Sequence, residues 1–269
     1  MTDTPLSHPP SQPIAGSCTL VGAGPGDPEL LTLKAVKAIQ AATVLFVDDL
    51  VSEAIVALAP AGARIVRVGK RGGCKSTPQT QIEALMLAAA RQGEAVVRLK
   101  GGDPFIFGRG GEEVEHLRAA GIAVQVINGI TAGLAGMTLL GAPLTHRRHA
   151  HGVVFITGHN RPGGEKTDWA QLAATARDAR LTLVIYMGMN SCAPIQQGLL
   201  GALPAHTPAA VIQHVSLPQQ RHVVTTLGEL RQTIERERLA SPSVIVVGDV
   251  VRGIHAAGLH QSSGGGCAA

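Results

Sequence analysis

Residues 96–113 read V-V-R-L-K-G-G-D-P-F-I-F-G-R-G-G-E-E, a strand that delivers a loop and a loop that delivers a helix. Val96, Val97 and Leu99 favour an extended chain, and Gly101, Gly102, Asp103 and Pro104 stop it. Phe105, Ile106 and Phe107 then place bulk between glycine-rich turns, where rigid side chains line a pocket. Glu112 and Glu113 open the helix, with acidic groups where the helix dipole favours them. A plain turn needs one or two glycines, whereas this segment holds five. It therefore reads as a ligand loop in an α/β domain.

Working outward, apolar runs at 18–21, 44–47, 64–68, 95–99 and 124–127 predict strands, with helices over 30–41, 79–91 and 111–120 between them. This alternation predicts a mostly parallel sheet covered by helices on both faces. A second set of strands is expected at 153–157, 181–187, 209–213, 222–225 and 243–247. The closely spaced pair around Val211 and Val223 has no helix between its members, which predicts an antiparallel element and a mixed sheet. The expected organisation is a tail over 1–16, an N-terminal α/β domain over 17–130, a C-terminal α/β domain over 131–254 and a flexible tail over 255–269. Ligands of open α/β sheets bind beyond the carboxyl ends of strands. The loops after Val21, Val47, Val68, Leu99, Ile127 and Met187 are thus where chemistry is expected.

The 269 residues are 45% hydrophobic but only 2% aromatic, so the core is aliphatic and a stacking platform for single-stranded nucleic acid is lacking. The net charge of +4 fits an anionic partner, and equally a coding bias toward Arg, Ala and Gly. Cys18, Cys74, Cys192 and Cys267 show no C-x-x-C spacing and read as free thiols in a reducing compartment. No apolar run approaches the roughly 18 residues of a membrane span, and the N-terminus lacks a secretory pattern. The expectation is a soluble cytoplasmic protein. The H-R-R-H-A-H run carrying His146, His149 and His151 lacks metal-site spacing, and its two arginines repel a cation. No metal is expected.

The first strand runs into G-A-G-P-G-D-P at 22–28. A dinucleotide fingerprint needs a helix opening on its third glycine. Here Pro25 removes a backbone donor and Gly26 comes too early. This loop, V-D-D-L-V-S at 47–52, V-G-K-R at 68–71, the 96–113 run, G-I-T-A at 129–132, P-L-T-H-R at 143–147, T-G-H at 157–159 and Y-M-G at 186–188 occur in this order. In that arrangement, covering about 18–252, the chain resembles the tetrapyrrole methylase family. K-G-G-D-P-F-I-F-G-R-G-G-E-E and P-L-T-H-R are most similar to its branch acting on uroporphyrinogen III.

The resemblance implies a two-lobed class III methyltransferase fold, an N-terminal mostly parallel sheet plus a C-terminal mixed sheet, with S-adenosylmethionine in the cleft between them, and a homodimer. It implies methylation of uroporphyrinogen III at C2 and C7, giving precorrin-2 via precorrin-1, for sirohaem, cobalamin or haem d1. By the same resemblance, Pro25, Gly101, Gly102, Asp103, Ile106, Thr131, Ala132, Met187 and Val215 bind the cofactor. Asp48 matches a proton acceptor, Lys70 a proton donor, and Arg109 with Glu112 a pair that removes a proton or docks substrate. Arg147 joins Arg109 in binding substrate. Read from the residues alone, Asp103 is equally a turn cap, Asp48 a strand-end turn residue and Lys70 a surface lysine. An arginine is a poor base because its pKa exceeds about 12, which favours docking for Arg109. An octacarboxylate substrate asks for several cations, with Lys70, Arg71, Arg98, Lys100, Arg109, Arg147 and Arg148 as candidates. Val47, Asp49, Asn128 and Val215 depart from the family pattern.

P-L-T-H-R after G-I-T-A and the shortage of aromatics favour the uroporphyrinogen branch over those acting on later precorrins or on ribosomal RNA ribose. Asp48, Lys70 and Arg109 argue against a non-catalytic tetrapyrrole or nucleotide sensor. Pro25 argues against an NAD(P) oxidoreductase.

Overall fold

The computed structural model describes residues 16–69, 77–159 and 163–254, in two compact units that divide in sequence between Ile130 and Thr131. Lys70, Arg71 and the expected tails, apart from Gly16, lie outside the described residues.

The first unit holds β1 (Ser17–Gly22), α1 (Leu33–Gln40), β2 (Val44–Val47), α2 (Glu53–Val56), β3 (Arg64–Arg67), α3 (Gln79–Arg91), β4 (Ala95–Lys100), α4 (Gly110–Ala119) and β5 (Ala123–Ile127). The sheet order is β3-β2-β4-β1-β5, and every pairing is parallel. Strand alternation sorts the side chains onto two faces. Leu45, Val97 and Leu99 pack with Ala35 and Ile39 of α1 and Ile55 of α2. Phe46 and Val96 pack with Ile82 and Met86 of α3 and Val114 and Leu117 of α4. The helix expected over 30–41 is in fact a short 3-10 turn at Pro28–Leu30 followed by α1. The break has a local cause: Asp27 accepts the Glu29 N–H and caps the turn, and Thr32 Oγ1 accepts the Ala35 N–H at 3.1 Å and starts a second helix.

The second unit holds α5 (Ala132–Leu139), β6 (Gly152–Thr157), α6 (Trp169–Asp178), β7 (Leu181–Tyr186), α7 (Cys192–Leu199), β8 (Pro208–Gln213), β9 (Arg221–Thr226), α8 (Leu230–Arg236) and β10 (Ser243–Val247). Its order is β6-β7-β10-β8-β9. The β6–β7 pair is parallel and the remaining pairs are antiparallel, with Val211 facing Val223 as the spacing predicts. Asp168 caps α6 through the Gln171 N–H. The core joins Leu183 and Ile185 of β7, Val211 of β8 and Ile245 of β10 to Ile195 and Leu199 of α7. No helix among the described residues is long and apolar enough to cross a membrane.

Candidate functional site

In the first unit the chain leaves β1 toward one face of the sheet, through α1, and leaves the adjacent β4 toward the other, through α4. Two neighbouring strands whose connections diverge open a crevice beyond their carboxyl ends. The G-A-G loop after β1 and the G-G-D-P loop after β4 meet there. Ala23 N–H donates to the Lys100 carbonyl, and Gly24 and Gly102 exchange backbone hydrogen bonds at 3.1 and 2.7 Å. The Gly24 amide is therefore spent on protein and Pro25 has none, so the loop is no cradle for a pyrophosphate. Pro25 is half-buried beside it.

Asp103 is buried and ties the loop after β4 to the chain leaving β5. Its Oδ1 accepts the Phe105 N–H at 2.8 Å, and its Oδ2 accepts the Gly129 N–H at 3.1 Å and the Asn128 amide at 3.2 Å. Of the two readings of this residue, the turn-forming one is seen directly. Asn128, where the family pattern differs, supplies one of the three donors. Gly101 and Gly102 lie half-buried on the same loop with Ile106, while Phe105 is more than half exposed and Phe107, less so, lines the cavity described next.

A cavity of about 500 Å³ in this unit is lined by Asp48, Gly69, Pro78, Arg98, Lys100 and Arg109, among others. That size suits a small molecule or part of a larger one. Asp48 follows β2, and its Oδ1 accepts the Asp49 N–H at 3.1 Å. Arg98 and Lys100, expected among the cations that meet substrate carboxylates, are only 2% exposed. Alternation along β4 turns both toward the face covered by α3 and α4, where Glu113, wholly buried, takes Arg98 Nε and Lys100 Nζ, each at 3.2 Å. Burial, and then the neighbouring Arg98 charge, push the Lys100 pKa down, against the pull of Glu113. Arg109 is the N-cap of α4, in left-handed conformation with φ 57°. Its guanidinium is 55% exposed and ion-paired with Glu112. That hydrogen bond raises the Arg109 pKa, which favours the charged form.

In the second unit Thr131 is the N-cap of α5, yet its hydroxyl makes no capping bond. The cap comes from β7, because Tyr186 Oη accepts the Gly133 N–H at 2.8 Å and lies 2.7 Å from Thr131 Oγ1. A Cβ on Gly133 would fall 2.5 Å from that oxygen, so the glycine is what lets the phenol in. Met187 follows with φ 53° and is 47% exposed. Ala132 is half-buried, and Val215 is buried against Gly136 of α5. Arg147 and Arg148 are exposed on the turn closed by the His146–Ala150 bridge. In that turn His146 stacks on His149, and its Nδ1 accepts the Arg148 N–H.

Tyr186 is the chain's single tyrosine, so its ionisation is readable without mutation. Burial raises its pKa from 10.0, partly offset by the bonds to Thr131 and Gly133. A raised value means that this group's stabilising contribution is complete below the unfolded pKa of about 10 and is lost as pH rises through the folded one. The expected phenolate titration has its midpoint above 10 in native protein and near 10 in urea. Coincident midpoints would show that the phenol is not held as described.

Sequence reasoning missed two roles, those of Glu113 and Tyr186. Helical spacing carried the signal for Glu113, since Gly110, Glu113, Val114 and Leu117 are the buried stripe of α4. For Tyr186 no local signal exists, because its partners are 53 and 55 residues away.

Comparison with known proteins adds kinship to this geometry. Residues 17–231 match the family described as Tetrapyrrole (Corrin/Porphyrin) Methylases. The uroporphyrinogen-III C-methyltransferase of Pseudomonas aeruginosa is 52% identical over 242 residues, 90% of this chain and 96% of that protein. The sirohaem synthase of Azotobacter vinelandii is 49% identical over 238 residues, 88% of this chain, and the chain spans half of that protein's length. The structure of uroporphyrin-III C-methyl transferase from Thermus thermophilus complexed with S-adenyl homocysteine is 40% identical, with a TM-score of 0.75 over 88% of this chain and all of that one.

Proposed function

We infer the reaction from membership: the chain belongs to the tetrapyrrole methylase family, and it transfers methyl groups from S-adenosylmethionine to C2 and C7 of uroporphyrinogen III, giving precorrin-2 via precorrin-1. The observation that carries this reading is the 52% identity to the Pseudomonas aeruginosa enzyme over 96% of that enzyme's length. The half of sirohaem synthase that this chain does not span is no part of the activity proposed for it.

S-adenosylmethionine supplies an electrophilic methyl group on a cationic sulfonium. The residues assigned to it fit that chemistry: Pro25, Gly101, Gly102, Asp103, Ile106, Thr131, Ala132, Met187 and Val215 include a carboxylate, a hydroxyl, a thioether and apolar surface, but no ammonium or guanidinium to repel the charge. The nucleophile is a carbon of an electron-rich pyrrole, which needs no Lewis acid. What remains for the protein is to align carbon and methyl and to move protons, and alignment is worth up to about 7–11 kcal/mol.

Asp48 stands in the first-unit cavity as proton acceptor, and Lys70 is assigned as donor from its place in V-G-K-R. Arg109 docks a substrate carboxylate, since its charge is permanent and it lines the same cavity. Glu112 holds Arg109 and joins in proton removal or docking. Arg147 is the further substrate cation. Arg98 and Lys100 line the cavity too, but each is 2% exposed and tied to Glu113, so the exposed Arg109 is the cation able to reach a substrate carboxylate. A homodimer in the cytoplasm completes the reading, with sirohaem, cobalamin or haem d1 as the use of the product.

With fresh uroporphyrinogen III and S-adenosylmethionine under anaerobic conditions, the protein is expected to form S-adenosylhomocysteine and a yellow oxidised product; no methyl transfer would overturn the reading. Arg109→Ala in the same assay is expected to lose roughly 10- to 100-fold in kcat/KM while calorimetry shows cofactor binding retained. Lost cofactor affinity would move Arg109 to the other ligand.

A further inference from the structure

We propose that Glu113 is a positioning residue that sets the Asp48 carboxylate through the Arg98 guanidinium, an inference that rests on the proton-acceptor reading of Asp48. Glu113 is 0% exposed, so no water substitutes for the donors it takes. Its Oε1 accepts Arg98 Nε and Lys100 Nζ, each at 3.2 Å, and the Gln79 amide at 3.1 Å. Gln79 is held in turn by Glu83, one turn along α3. The carboxylate is therefore fixed by three donors from α3 and β4.

Arg98 is fixed next. Its Nε is on Glu113, and its Nη1 donates to the carbonyls of Phe46 at 3.4 Å and Leu99 at 3.1 Å. A planar guanidinium held at two nitrogens cannot swing its third. That third nitrogen, Nη2, lies 3.8 Å from Asp48 Oδ2. The distance is that of a charge contact rather than a hydrogen bond, and the local dielectric is low because the cation side is buried.

Asp48 itself is loosely held, with its side chain 35% exposed and Oδ1 on the Asp49 N–H. Placement of its second oxygen falls to the Arg98 charge at contact distance, with the Lys100 charge also felt by this carboxylate, and both cations are placed by Glu113. Misplacement of a reacting group by about 1 Å costs on the order of 100-fold in rate, so a buried side chain that never meets substrate acquires control over turnover. In this respect it differs from Glu112 beside it, which is exposed with Arg109.

The test uses wild type, Glu113→Asp, Asp48→Asn and the double variant. Glu113→Asp keeps the charge that folding needs but withdraws the oxygens by about 1.5 Å, one carbon–carbon bond. With uroporphyrinogen III and S-adenosylmethionine, Glu113→Asp is expected to lose roughly tenfold or more in kcat, with KM and S-adenosylhomocysteine affinity within about twofold. In the Asp48→Asn background it is expected to slow the enzyme no further than about twofold. A residue that only supports the fold would lower the unfolding midpoint and leave kcat per folded enzyme alone. The proposal is overturned if Glu113→Asp keeps kcat within about twofold, or if it slows Asp48→Asn as much as it slows wild type. An inactive wild type would instead sink the proposed function. In that case, or if Asp48→Asn turns over too slowly to measure, urea unfolding of the same four proteins decides the coupling. A midpoint shift from Glu113→Asp that is at least halved in the Asp48→Asn background supports it, and equal shifts overturn it.

Discussion

Glu113→Ala is expected to destabilise the protein by about 3–5 kcal/mol, because it strands two buried cations with no anion between them. Arg98 and Lys100 are each 2% exposed, and the Gln79 amide loses its acceptor on Glu113 in the same step. The companion variant separates charge from volume. Replacing all three groups, as Arg98→Met, Lys100→Met and Glu113→Leu together, removes the ions that require one another and is expected to leave stability within about 1–2 kcal/mol of wild type, or above it. Urea midpoints measure both. The loss in Glu113→Ala should also shrink at high pH. Burial and Arg98 already lower the Lys100 pKa, and deleting Glu113 removes a group that raises it. A depressed pKa penalises the folded state while the group is protonated, and the penalty is relieved as pH rises through the folded value toward the unfolded one near 10.4. A loss of less than about 1 kcal/mol at neutral pH would mean that the carboxylate does not compensate buried charge.

The same trio shows how far sequence reasoning reaches. The β4 strand was legible as V-V-R-L-K running into glycines, and the alternation that buries Val96 also buries Arg98 and Lys100. In a parallel sheet covered on both faces, a charged residue inside a strand has to find a buried partner. That rule, combined with the 3.6-residue stripe of α4, leads to Glu113 without coordinates. Reading Glu112 and Glu113 only as a dipole-matched pair passes over the difference between a residue on the stripe and its neighbour off it. Other features were not locally encoded. A-G-L-A-G-M-T-L, which forms α5, has two glycines and no polar face, and Tyr186 caps it from a distant strand. Propensity alone gives such a segment little helical preference. The split at Pro28–Leu30 and Leu33–Gln40 was within reach, since Asp27 and Thr32 are both N-cap residues in the right places. The loop at 101–106, where β4 ends and the chain from β1 comes within backbone hydrogen-bonding distance, announced itself by composition, and holding a ligand is the role proposed for it. Only the resemblance named its ligand, because glycines record that a backbone must come close without recording what it approaches.

Gly129→Ala is the second large effect, on the order of 3 kcal/mol, and its cause is backbone meeting backbone. Its Cβ would overlap the Gly102 carbonyl oxygen and fall 2.7 Å from the Gly22 carbonyl carbon and 2.8 Å from its Cα. None of these atoms can rotate away as a side chain would. Gly22 ends β1, Gly102 belongs to the loop after β4, and Gly129 follows β5, so the methyl group would wedge apart three strand ends, two of them joined by the Asp103 carboxylate through the Gly129 N–H and the third by the Gly24–Gly102 backbone bonds. Two losses are therefore expected at once, a lower urea midpoint and weaker S-adenosylhomocysteine binding by calorimetry, because the displaced loop carries Gly101 and Gly102. Gly111→Ala is the matched control. It lies inside α4, a Cβ there meets nothing within 4 Å, and the change is expected to stabilise by about 0.4–1 kcal/mol through the unfolded chain. If Gly129→Ala matched wild type in both midpoint and affinity, the three strand ends would have to separate without cost. The crevice between the loops after β1 and β4 would then be a pliable gap, and the glycines of the 96–113 segment would need a different explanation.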